Sequence, residues 1–88
     1  LYVVDPGPEG SLGDMAWVAA ARQNGTLPLL VVQAALRSSL TEAADIVLPG
    51  TVWLERDAIF TNDRGTPQAA SKALAPPAEA VEDWDILN

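Results

Sequence analysis

The chain has 88 residues, 49% of them hydrophobic, and a net charge of −7 from 12 acidic and 5 basic side chains; it contains neither cysteine nor histidine. This composition is too apolar for a disordered segment and allows one small domain with a thin core, and it excludes disulfides, iron–sulfur ligation, thiolate or imidazole metal sites and Cys/His or Ser/His nucleophile pairs. The acidic balance repels a phosphate backbone and argues against nucleic-acid binding, and no run approaches the roughly 20 apolar residues that cross a bilayer.

The chain opens on Leu1 and the apolar run "LYVV", so it is expected to be a piece of a longer protein. Residues 1–4 read as a buried strand stopped by Asp5-Pro6-Gly7-Pro8. The prolines there leave too few amides for a phosphate-binding loop, so no Gly-rich nucleotide motif is present. Ser11 stands three residues before Asp14, a variant of the capping box, and an alanine-rich stretch follows; the spacing predicts a helix over 12–23, ended by Arg22 in its last turn and by Asn24-Gly25.

Residues 29–33, "LLVVQ", predict a second strand, and Ser39 with Glu42 forms an S-x-x-E capping box opening a short helix near 40–44. Ile46-Val47-Leu48, closed by Pro49-Gly50, predicts a third strand. Continuous apolar strands alternating with helices argue a parallel sheet covered on both faces, with right-handed crossovers. Beyond Pro49, short apolar pieces separated by charges read as extended segments, and the aperiodic alanines and prolines of 68–78 read as an arm over the body. Val81, Trp84 and Leu87 recur at helical spacing and predict an amphipathic terminal helix docked by Trp84. The chain thus divides into a βαβαβ part of an α/β domain (1–50), an extended loop and arm (51–78) and the start of a terminal helix (79–88).

Asp45 enters the third strand at a turn, where its carboxylate is expected to accept backbone amides. Glu55 and Asp57 are neighbours on an extended segment, point to alternate faces and read as solvated rather than catalytic. Trp17, Trp53 and Trp84 read as core or interface anchors. Glu79, Glu82, Asp83 and Asp85 lack the glycine and ligand spacing of a calcium loop and read as a solvated helix face, so no metal site is expected.

Ala44-Asp45-Ile46-Val47-Leu48-Pro49, Trp53-x-Glu55, Phe60-Thr61-Asn62, Gly65, Gln68, Pro76-Pro77, Ala80 and Asp83-Trp84-x-Ile86-Leu87 occur in that order. The series resembles the molybdopterin oxidoreductase superfamily over 44–87. The resemblance implies a Rossmann-like parallel sheet with flanking helices. It also implies a cofactor-contacting loop at Thr61, Asn62, Gly65 and Gln68, where hydroxyl, amide and unhindered backbone can hydrogen-bond a polar pterin or nucleotide group. The chain departs from the family at Ala58-Ile59, where Gly-Thr is usual, and at Arg64-Gly65-Thr66, where Glu-Gly-Arg is usual; the family's anion-contacting arginine is lost or displaced, with Arg64 two positions early as its candidate replacement.

By this resemblance the segment is expected to be a structural part of an electron-transfer subunit, most like the large subunit of NADH-quinone oxidoreductase that shares the superfamily fold. Such a subunit is cytoplasmic, attached at the inner membrane through other subunits and without direct membrane insertion. The enzyme alternative is a formate-dehydrogenase-like catalytic subunit. In either case the segment alone holds no complete active site and no cofactor; the enzyme alternative implies molybdopterin guanine dinucleotide in the parent, whereas the structural reading implies a parent generally without it. Iron–sulfur clusters lie elsewhere in the parent, and the partners are the rest of that subunit and other subunits of a redox complex. A free-standing Rossmann-like binding domain is the third reading.

Overall fold

The protein is described by a computed structural model covering residues 1–7, 12–77 and 79–88. Three four-residue strands, β1 (Tyr2–Asp5), β2 (Val31–Ala34) and β3 (Ile46–Pro49), form a parallel sheet in the order β1-β2-β3. Tyr2, Val31 and Ile46 stand in one register row, and Val3, Val32 and Val47 in the next. The predicted parallel α/β sheet is therefore present, each strand within two residues of its expected limits.

Helix α1 (Ala16–Gln23) begins four residues later than the composition predicts. Gly13 takes φ +73°, which interrupts a right-handed helical path, and the Asp14 carboxylate accepts from the Ala16 amide at 2.9 Å. Ser11, the expected partner of Asp14, lies outside the described residues. The helix ends as predicted: Gly25 is left-handed at φ +77°, and the Leu27 amide reaches back to the Ala21 carbonyl at 3.0 Å.

Helix α2 (Ser39–Ala43) is capped one residue earlier than expected. Ser38, not Ser39, is the extended cap residue; its Oγ accepts from the Thr41 amide and its own amide donates to Thr41 Oγ1. Ser38 is selected because its hydroxyl also donates to Asp5 Oδ2 at 2.6 Å, tying the start of α2 to the end of β1.

The core is Val3, Val18, Leu30, Val32 and Ala34, with Met15, Leu27, Leu40, Ala43 and Ala44 packed against it. It lies between α1, α2 and one face of the sheet. Helices were expected on both faces; among the described residues the opposite face leaves Tyr2, Val4 and Ile46 exposed.

Asp45 behaves as expected. Its Oδ2 accepts from the Leu30 amide at 2.7 Å, while Oδ1 pairs with the Arg22 guanidinium, whose Nη1 also donates to the Leu27 carbonyl. One carboxylate thus fastens the end of α1 to the entries of β2 and β3. The Leu30 hydrogen bond, joined by Arg22, outweighs partial desolvation and holds this carboxyl below its ordinary range.

After a 3₁₀ turn at Trp53–Glu55, β4 (Ala58–Thr61) and β5 (Pro67–Ala70) form an antiparallel hairpin. The arm expected from residue 68 therefore begins as a strand: Phe60 lies opposite Gln68 and Ile59 opposite Ala69, pairings that alanine-rich sequence does not announce. Glu55 accepts from the Val52 amide and Asp57 from the Lys72 amide, so both acids serve as local backbone acceptors rather than standing free in solvent.

Helix α3 (Asp83–Leu87) is shorter than the apolar spacing implies, and Trp84, expected to dock it, is 74% exposed. Val81 instead bridges to Gly50 beside β3, and its amide donates to the Pro49 carbonyl at 3.0 Å.

Leu30→Ala in the full-length protein is expected to cost about 2–5 kcal/mol in urea unfolding, because Leu30 is completely buried. A carboxyl with a depressed folded pKa contributes stability above its unfolded value and loses it as pH falls through the folded one. Asp45→Asn should therefore lower the thermal midpoint at neutral pH and flatten its decline at acid pH; a midpoint equal to that of the unaltered protein at pH 7 would exclude the clamp.

Candidate functional site

All three parallel strands deliver their carboxyl ends to one open cleft of about 670 Å³. β1 contributes Asp5 and leads into Pro6 and Gly7, β2 leads into Ala35 and Leu36, and β3 leads into Thr51, Val52 and Trp53. Arg56, Phe60 and Asp83 complete the walls. Open α/β sheets place ligands outside the carboxyl ends of their strands, and the volume suits a cofactor-sized molecule.

The β1 side is fixed by Asp5, whose carboxylate accepts from the Gly7 amide at 3.0 Å and from the Ser38 hydroxyl. The opposite side is organised by Asp83. Gln33, completely buried on the central strand, accepts from the Tyr2 hydroxyl and donates through Nε2 to Asp83 Oδ1 at 2.7 Å. Arg56 Nη1 donates to Asp83 Oδ2 at 2.5 Å. The chain Tyr2, Gln33, Asp83, Arg56 runs from the exposed sheet face to the cleft wall.

Glycine at position 50 is what permits this. A Cβ there would lie 2.8 Å from Asp83 Oδ1, an atom that Gln33 holds in place.

Among the described residues, two buried side-chain polar atoms have no hydrogen-bond partner, Thr51 Oγ1 and Arg56 Nε. Both residues line the cleft. An unpaired buried polar atom costs about 1–3 kcal/mol, so two of them beside one cleft mark where a polar ligand would be gained at least expense.

The four residues expected to contact a cofactor lie together on the β4–β5 hairpin, all exposed, and none is in the cleft wall. Asn62 Oδ1 accepts from the Arg64 and Thr66 amides, each at 3.0 Å, and the Gly65 amide donates to the Asn62 carbonyl at 2.8 Å. Gly65 has φ +78°, the left-handed conformation this loop requires. Thr61 ends β4 and Gln68 sits on β5 opposite Phe60, the hairpin residue that does reach the cleft.

Sequence reasoning missed Gln33, Thr51, Arg56 and Asp83. By residue type and spacing, Arg56 belongs to a charged extended segment and Asp83 to a solvated helix face; in the folded chain the two are paired with each other. One signal was available: Gln33 ends an apolar run, and a polar residue in a buried strand requires partners.

Comparison with known proteins places the chain against one family description, "Molybdopterin oxidoreductase", matched over residues 1–88. The F420-dependent formate dehydrogenase subunit alpha of Methanocaldococcus jannaschii is 39% identical over 88 residues, all of this chain and 13% of that protein. The F420-dependent formate dehydrogenase 1 subunit alpha of Methanococcus maripaludis is 37% identical over the same span, 13% of its length. The NADPH-Fe(3+) oxidoreductase subunit alpha of Geobacter sulfurreducens is 34% identical, again over the whole chain and 10% of the relative. The chain therefore corresponds to a small part of each of these proteins. No solved structure matches it.

Gly50→Ala is expected to destabilise the full-length protein by about 1–3 kcal/mol, since the new methyl must displace the Asp83 carboxylate. Combining it with Asp83→Ala should remove most of that loss, and additive losses in urea unfolding would show that Gly50 acts elsewhere.

Proposed function

Because this chain belongs to the molybdopterin oxidoreductase family, we propose that it is a cofactor-binding piece of a formate-dehydrogenase-like alpha subunit, and that its cleft holds part of a molybdopterin guanine dinucleotide. The observation that carries this reading is the pair of unpartnered buried polar atoms, Thr51 Oγ1 and Arg56 Nε, on residues lining the cleft where three parallel strands end. Such a cofactor offers phosphate acceptors and a heterocycle with both donors and acceptors, the chemistry this wall can use.

Arg56 would supply a fixed cation and N–H donors to an anionic group, and Thr51 a hydroxyl. Asp83 would act through Arg56, which it holds at the cleft wall, and the half-exposed Trp53 and Phe60 would give apolar faces to a planar system. When bound, the cofactor supplies two-electron redox chemistry at its metal. The residues of this piece bind and orient it.

The hairpin takes the rim. Thr61 and Gln68 keep their polar side-chain atoms free of partners among the described residues and would contact the cofactor directly, whereas Asn62 and Gly65 act through the shape of the turn. The names of the relatives, alpha subunits of formate dehydrogenases and of an NADPH-Fe(3+) oxidoreductase, support a catalytic alpha subunit working with further subunits. No helix among the described residues is long and apolar enough to cross a membrane. The proposed subunit is a cytoplasmic one that reaches the inner membrane through others.

The scaffold reading, a part resembling the large subunit of NADH-quinone oxidoreductase, draws on one observation: the turn takes up Asn62 Oδ1, the side-chain acceptor that a pterin would otherwise use.

The purified full-length protein is expected to contain molybdenum and pterin in stoichiometric amounts. Arg56→Gln should reduce cofactor retention about ten- to a hundredfold, the loss of a charged hydrogen bond. Thr51→Val should leave the cofactor-free protein as stable or more so, since it removes an unpaired hydroxyl, while weakening retention. Iron without molybdenum would favour the scaffold, and normal retention in both variants would remove the cleft from consideration.

A further inference from the structure

We propose that residues 81–87 form a strap whose seating is linked, through Asp83, to occupancy of the cleft. The inference rests on the reading of that cleft as a cofactor site.

The strap is attached by few groups. The Val81 amide donates to Pro49, Val81 bridges to Gly50, and Asp83 joins Gln33 and Arg56. Of its large apolar side chains Ile86 alone is half-buried; Val81 is 43% exposed, Trp84 74% and Leu87 63%. A segment held by a handful of polar contacts and little apolar burial lies at the low end of local stability and opens without global unfolding.

The second observation is where the strap's counter-charge stands. Arg56 belongs to the cleft wall, its Nε is unpartnered, and a guanidinium has five donors of which Asp83 takes one. A ligand acceptor on the remaining donors immobilises the guanidinium while Nη1 still faces Asp83. The strap then closes on a partner that has already lost its rotamer freedom. By linkage, a seated strap presents an oriented Arg56 to the ligand, so each event favours the other.

Hydrogen–deuterium exchange on the full-length protein, purified with and without bound molybdopterin cofactor, tests this. Loading is expected to slow exchange in peptides covering 51–60 and also in those covering 81–87. Asp83→Asn should speed exchange over 81–87 by roughly ten- to a hundredfold and abolish its dependence on loading, while peptides over 51–60 still respond. If Asp83→Asn does not accumulate, Arg56→Gln, which leaves the Gln33 bond to Asp83 intact and is compared with the unaltered protein at equal molybdenum content, should likewise remove the dependence at 81–87 while peptides over 51–60 still respond. Protection over 51–60 with no change, or faster exchange, over 81–87 would overturn the strap and leave the cleft reading standing. No change over 51–60 on loading would overturn both.

Discussion

The hydrogen bond from Gln33 to Asp83 is the constraint around which the cleft is arranged. Gln33 sits completely buried on the central strand of a small parallel sheet, where an unsatisfied amide would be expensive, and its acceptor comes from 50 residues further along the chain. Meeting that requirement brings the 81–87 segment beside β3, demands a residue without a side chain at Gly50, and leaves the second oxygen of Asp83 to receive Arg56. One polar residue in an apolar strand thereby sets one wall of the site and the cation in it.

A second carboxylate does comparable work at the other end of the sheet. Asp45 joins α1 to β2 and β3 through the Leu30 amide and Arg22, just as Asp83 joins three distant segments through Gln33 and Arg56. In a chain of net charge −7, two of the five cations are committed to these junctions. Both pairs are partly exposed, so their worth lies less in Coulomb energy than in hydrogen-bond geometry that places helices and loops. Between them, the helices cover one sheet face, and the exposed Tyr2, Val4 and Ile46 on the other show a parallel sheet with a single layer of cover among the described residues.

Much of the α/β part was readable in advance because its causes are local. Apolar runs bounded by proline and glycine announced β1, β2 and β3, Asn24-Gly25 announced the end of α1, and the turn role of Asp45 followed from its place before a strand. The errors arose where two local signals competed or where the partner was remote. Ser38 and Ser39 are equally good caps by type, and the choice fell to Ser38 through its hydrogen bond to Asp5 on another strand. Trp84 and Leu87 have helical spacing, yet the neighbouring Asp83 found the stronger partners and turned inward.

By itself the sequence determined the parallel alternation of strands and helices, the absence of thiol and imidazole chemistry, and membership of a redox family through motifs ordered along the chain. These depend on residue type and spacing, which a linear reading sees. Only the tertiary structure decided that the hairpin residues Thr61, Asn62, Gly65 and Gln68 stand outside the cleft wall and that Thr51, Arg56 and Asp83 form it. The physical reason is that burial removes water as a partner, so a polar atom must find its complement in space, and Gln33 found its own on a segment far away in sequence.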